Sequence, residues 1–221
     1  MSLVVNKICI ILKSGIDLKL MSWIKSIAYN ESTGKLRKIF DRIKGPSGYI
    51  DNILKIHGLR PHTLEGHMAL YKNVLHHSGN VLPVSFLETL GVYISLLNGC
   101  NYCVRHHYEG MKKQMKDDQK ANQIYEALVS DEPQKLYHGK DLALIRYAKK
   151  LALYPANMNE KDINVVKENG GDDGEILEVN QVVSYFSYAN RTVLGLGVST
   201  EGDVLGLSPN DQDNEENWSH S

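Results

Sequence analysis

The stretch ETLGVYISLLNGCNYCVRHH, running from Glu88 to His107, decides how the chain is read. Pro83 opens a helix through Leu87, Leu90, Ile94 and Leu97, and Asn98-Gly99 stops it, as asparagine and glycine do at helix ends. Beyond the break Cys100 and Cys103 open a second helix through Val104, His107, Tyr108 and Met111. Cysteines three apart lie within about one turn, near enough for a disulfide or a shared ligand. His107 follows Cys103 by four residues and so falls on the same face. A free thiol with pKa near ~8.5 is only about 3% ionised at neutral pH; the positive end of a helix dipole beside an imidazole can bring it to ~7.

Three readings of this pair stand on the residues alone: thiol redox chemistry, a metal site, or an inert pair. Zinc needs four ligands, or three and water. Cys100, Cys103, His107 and Glu88 offer that number, but ligands at i, i+3 and i+4 of one short helix leave little room for a tetrahedron. No metal or cofactor is therefore expected. Glu88 sits among Phe86, Leu87, Leu90 and Val92, and its position alone favours the solvent face. If its helix folds back through Asn98-Gly99, the carboxylate instead meets the cysteine helix and can orient the imidazole.

Outward from this core the chain reads as helix throughout, with no strand pattern after residue 20. Helices are expected over Ser32 to Ile43, around Ile53–Ile56, and from Pro61 to about His77. Others follow at 118–129, Asp141 to Leu153 and 160–168, then a long one at 174–194 carrying Ile176, Val179, Val183, Phe186, Ala189 and Val193. So apolar a helix belongs at the centre of the fold or against another subunit. Tyr185, Phe186 and Tyr188 read as packing residues rather than a cofactor box, and Asn190 and Arg191 as capping or helix–helix groups. His106 lies about 100° round the helix from His107 and is expected to face solvent. Histidines 57, 62, 67, 76 and 77 do not fall on one helical face, and Pro61 interrupts them, so they do not form a metal cluster.

The chain has 221 residues, 42% hydrophobic and 23% charged, with a formal charge of −1. That composition suits a globular domain and supplies no general attraction for nucleic acid or acidic lipid. Lys112, Lys113 and Lys116 read as a solvated helix face. No run approaches the ~18–20 apolar residues of a membrane span. Residues 1–20, with Cys9 and a short apolar run between Lys7 and Lys13, are expected to be a disordered leader or an over-extended start, with Met21-Ser22-Trp23 resembling a fresh beginning. The helical domain is placed at 21–198, and 199–221 is expected to be an acidic disordered tail, rich in Asp and Glu from Glu201 to Glu216. Few cysteines and a Cys-x-x-Cys pair point to the cytoplasm and to redox rather than structural stapling.

The glutamate twelve residues before Cys-x-x-Cys-x-x-x-His, with the Asn-Gly break between, resembles the carboxymuconolactone decarboxylase/alkylhydroperoxidase D-like superfamily. More closely it resembles the subgroup of uncharacterised peroxidase-related proteins. The likeness runs from Met21 to Glu178–Arg191 and the Gly195-Leu-Gly197 beyond. It implies an AhpD-like all-α helical bundle that assembles into homo-oligomers (dimer, trimer or hexamer) and reduces hydroperoxides with a dithiol. In that scheme Cys103 attacks the peroxide, Cys100 resolves the sulfenic acid as a disulfide, and Glu88 and His107 relay protons. A lipoyl or thioredoxin-like protein restores the dithiol. Dipole reasoning on its own favours Cys100 as the more acidic thiol, so the assignment to Cys103 is the resemblance's. One departure matters: Tyr102, a poorer proton relay near neutral pH, stands where the best-described peroxidases have a second histidine, so either peroxidase activity is weak or its efficiency rests on His106 or His107. Two other functions fit the scaffold. A decarboxylase-like enzyme is disfavoured because that branch generally lacks the cysteine pair, while a redox-sensing or binding protein would keep it and turn over little peroxide.

Overall fold

The computed structural model describes residues 21–45, 48–214 and 217–221; the proposed leader, Cys9, Glu215 and Glu216 lie outside them. Among the described residues the chain is all-α, with nine α-helices. They are α1 (Gly34–Ile43), α2 (Asn52–Lys55), α3 (Pro61–Leu75), α4 (Val84–Leu97), α5 (Asn101–Met115), α6 (Asp118–Val129), α7 (Gly139–Leu153), α8 (Glu160–Glu168) and α9 (Asp173–Leu196). No helix among the described residues is long and apolar enough to cross a membrane.

The centre of the bundle is α4, in which every residue from Phe86 to Ser95 is buried. It packs on α5, α6, α7 and α9, so its apolar residues are used all the way round. The long α9 buries a stripe through Ile176, Val179, Val183, Phe186, Ala189 and Val193, with Tyr185 beside it, and leaves Leu177, Tyr188 and Leu194 on the surface. Its start is fixed by a capping box: Asp172 accepts from the Glu175 amide at 2.8 Å, and the Glu175 carboxylate accepts from the Asp172 amide at 3.1 Å. Its end is fixed by Gly197 at φ +61°, with Val198 N–H reaching back to the Val193 carbonyl at 3.0 Å. The Trp23 ring also lies where a Gly197 side chain would project. Gly197→Ala is expected to cost about 1–2 kcal/mol in chemical denaturation, from left-handed strain and displacement of that indole.

The acidic segment from Ser199 lies against the helices, unlike the disorder its composition suggests. Trp218 is buried among Leu36, Phe40, Ile43, Leu64 and Met68, with the Arg42 guanidinium 3.9 Å from its ring centroid. Lys72 is buried beneath the segment and donates to the carbonyls of Asn214 and Asn217. Asp213 accepts from the Ser78 amide at 3.0 Å, and Ser208 and Ser221 exchange backbone hydrogen bonds. One aromatic anchor, with carboxylates engaged as acceptors, offsets the ordering entropy that a segment so poor in apolar residues otherwise loses.

Candidate active site

The reversal between α4 and α5 is a helix stop of defined geometry. Gly99 takes φ +71°, its amide bonds the Leu96 carbonyl at 3.0 Å, and the Cys100 amide bonds Ser95 at 2.8 Å. This places Cys100 at the N-cap of α5 and folds α4 back along α5, so that Glu88 meets the cysteine helix. Glu88 is 2% exposed, so the solvent-facing position that its place in the sequence favoured does not hold. Its Oε2 lies 2.7 Å from His107 Nδ1 and its Oε1 lies 3.8 Å from His76 Nε2. Gly110 clears the room for this carboxylate: a Cβ there would sit 3.2–3.3 Å from the Glu88 carboxylate. With Nδ1 held by Glu88, the His107 ring is set with its other nitrogen available; the Phe186 ring meets it edge-on, centroids 4.5 Å apart.

The cysteines are both free and buried, with sulfurs 2.9 Å apart and a thiol proton between them. The Cys103 hydrogen bond, with backbone amides of Cys103 and Tyr102, lowers Cys100 despite its burial. The same contact with Cys100, together with burial, raises Cys103 well above the ordinary thiol range. The hydrogen bond between the two sulfurs thus lowers Cys100 and raises Cys103. Cys100 is also wholly buried, whereas Cys103 lines a cavity of about 60 Å³. Acidity belongs to one sulfur and access to the other.

That cavity brings together Cys103, Glu88 and His107, with walls from Tyr71, Tyr185 and Leu207. Three of the four residues singled out in the sequence therefore face one space, and the fourth, Cys100, sits directly behind. His106 also lines it rather than facing solvent: its ring stacks on Tyr102 at 4.5 Å between centroids, and its Nε2 lies 3.2 Å from Asp203 Oδ2. The stacking partner one turn back pulls the ring inward. The histidine series divides. His57, His67 and His76 are buried, and burial depresses His67 to about 3 and His76 to about 4. Asn190 is buried and accepts from Ser95 Oγ at 3.2 Å, joining α9 to α4, while Arg191 bonds within its own helix.

Asp51 and Asp203 belong to this site, and nothing in their spacing announced it. Asp203 arrives from the segment after α9 and accepts from Tyr49 and Tyr102 hydroxyls at 2.6 Å each, and from the Asn52 amide at 3.1 Å. Donor atoms of Asp51, His106 and Asp203 all lie within 4.8 Å of one another. That is a spacing a divalent ion can use, but His106 and Asp203 are already engaged with each other and with the tyrosines.

No family model matches the sequence, and no curated protein matches it. Solved structures do. An uncharacterized peroxidase-related protein from Silicibacter sp. TM1040 superposes with a TM-score of 0.71 at 20% identity, over 84% of this chain and 95% of that one. One from Ralstonia eutropha JMP134, described as an alkylhydroperoxidase AhpD core, gives 0.70 at 18%, over 85% and 97%. The debrominase Bmp8 gives 0.62 at 15%, over 81% and 91%. The chain therefore has the AhpD-like helical fold, the fold of the superfamily its Glu88–His107 stretch resembles.

Proposed function

We propose that this AhpD-like chain is a thiol-dependent peroxidase that reduces hydroperoxides through a Cys100/Cys103 dithiol–disulfide cycle. The observation that carries the reading is one small cavity holding the Cys103 sulfur and a glutamate-oriented histidine, with a second thiol 2.9 Å behind. His107, held by Glu88, takes one proton from the thiol pair, leaving one proton and one negative charge shared by two sulfurs. As the remaining proton moves to Cys100, Cys103 attacks the terminal peroxide oxygen. The O–O bond breaks, an S–O bond forms, and the leaving alkoxide is protonated to an alcohol. Cys100 then attacks the sulfenic sulfur; its proton leaves with the hydroxyl as water, and the disulfide remains. The peroxide has taken two electrons from the dithiol. A reduced dithiol partner of lipoyl or thioredoxin type returns them by exchange. Hydrogen peroxide and small alkyl hydroperoxides are the substrates we assign to the small cavity beside Cys103. We place the enzyme in the cytoplasm as a homo-oligomer.

The test is hydroperoxide consumption with a dithiol donor. Cys103→Ser is expected to fall to the buffer rate, and Cys100→Ser to consume one equivalent and stop with a trappable sulfenic acid. Equal slow rates in all three proteins would remove the peroxidase reading. A redox switch with little turnover is the second reading, favoured by the complete burial of Cys100. It predicts rapid oxidation of the dithiol without sustained consumption.

A further inference from the structure

The departing oxygen of an alkyl hydroperoxide needs a proton, and Tyr102 occupies the place of a relay histidine. The cavity that holds the Glu88–His107 pair is also lined by another acid–base group. We infer that Asp51 is a further catalytic residue, the acid that protonates the leaving alkoxide, and that His106 and Asp203 position it and connect it to solvent. This rests on the hydroperoxide reading above.

Three elements assemble the group. Asp51 precedes α2, His106 comes from α5, and Asp203 from the segment following α9. Asp51 and His106 line the same cavity as Cys103. The Asp203 carboxylate is fully buried and receives hydrogen bonds from two tyrosines, His106 and a backbone amide. Asp51, by contrast, has a buried Oδ1 with no hydrogen-bond partner. Two neighbouring buried carboxylates disfavour double ionisation, and the better-solvated one loses its proton first. Burial pushes Asp203 up, but its hydrogen bonds outweigh that and hold it below the usual range. Burial raises Asp51 to about 6, opposed by His106 and reinforced by Asp203. The groups facing Asp51 are Tyr49, Lys55, Tyr71, Tyr102, His106 and Asp203, so one cation and one imidazole are set against the second carboxylate. Below about pH 6 the proton of the pair therefore resides on Asp51, and near neutral pH only a minor fraction of the protein carries it. His106, at 13% side-chain exposure, is the member through which solvent can replace it.

The step balances. Cys103 thiolate, hydroperoxide and the Asp51 carboxylic acid become sulfenic acid, alcohol and the Asp51 carboxylate; the sulfur is oxidised and the peroxide reduced. Solvent returns the proton between turnovers.

The experiment compares two oxidants in single turnover, followed by thiol loss from pH 5.5 to 8. Alkoxide leaves tert-butyl hydroperoxide only with a proton, whereas acetate leaves peracetic acid without one. Asp51→Asn is expected to slow the alkyl hydroperoxide by about 100-fold, the scale of general acid catalysis, and peracetic acid by less than about threefold. In wild type, the rate with the alkyl hydroperoxide relative to that with peracetic acid falls as pH rises through about 6, because the acid form is lost while thiol ionisation acts on both oxidants, and this limb disappears in Asp51→Asn. His106→Gln removes a neighbour that lowers Asp51 and is expected to move the limb to higher pH. A folded Asp51→Asn protein that slows both oxidants alike, or neither, overturns the inference and leaves the peroxidase reading standing. If that variant is unfolded, an unmoved limb in His106→Gln overturns it. Equal rates in wild type and Cys103→Ser bring down the peroxidase reading, and this one with it.

Discussion

Gly91→Val is expected to destabilise the protein by at least about 3 kcal/mol, near the upper end of the cost of overpacking a core. A Cβ on Gly91 would lie 2.2 Å from Phe186 Cζ and 2.5 Å from Cε2, and Phe186 is wholly buried. The ring is packed against His107 and Tyr185, so its displacement moves them as well. Replacing a mid-helix glycine ordinarily gains up to about 1 kcal/mol, less for a β-branched residue, so propensity does not compensate. The damage reaches the site, because Phe186 packs edge-on against His107. Urea denaturation measures the loss, and alkylation of the cysteine pair reports the disturbed histidine. A valine variant as stable as wild type would show that α4 and α9 are not closely apposed at this point.

Acid is expected to unfold the protein near pH 5, well above the range in which carboxylate protonation alone acts. Burial depresses His67 to about 3, and His76 and His220 to about 4, against an unperturbed 6.5. The unfolded chain thus binds more protons than the folded one below pH 6.5, so stability falls as pH drops from there towards 4. At pH 5 each of the three forfeits about 2 kcal/mol, together about 6. Asp51 acts with the opposite sign: its folded pKa of about 6 exceeds the unfolded value, so lowering the pH from 6 to 5 returns about 1 kcal/mol. A net loss of about 5 kcal/mol is comparable with the whole stability of an ordinary domain. Urea midpoints at pH 7.5 and pH 5.0 measure it directly, and identical midpoints would refute it. His220→Gln removes the titrating ring together with its stacking on Tyr71, so both midpoints fall, and the difference between them is expected to shrink by about a third.

The helices were legible because their signals are local. Pro61 and Asn98-Gly99 mark ends within a residue or two of where they fall. The cysteine pair and His107 were legible for the same reason, being one turn apart on one helix. Glu88 was harder, since its burial depends on α4 folding back along α5 and on the space left by Gly110, neither visible from its own neighbours. Asp203 and Asp51 were illegible. They are separated by about 150 residues and meet only because the last segment crosses α2 and α5. The composition of that segment argued for disorder because composition does not weigh one well-placed tryptophan against many acids. His106 likewise follows Tyr102 and Asp203 rather than its helical angle.

The docking of Trp218 carries a consequence for biosynthesis. Leu207 and His220 line the cavity with Cys103, so the pocket cannot be whole until residue 220 has been synthesised. More than a hundred residues separate Cys103 from Trp218, an interval on the order of ten seconds at ribosomal speeds of about 5–20 residues per second. Throughout that interval the nascent chain carries its dithiol without the wall that later encloses it, and the emerging polypeptide is more open to oxidants than the finished protein.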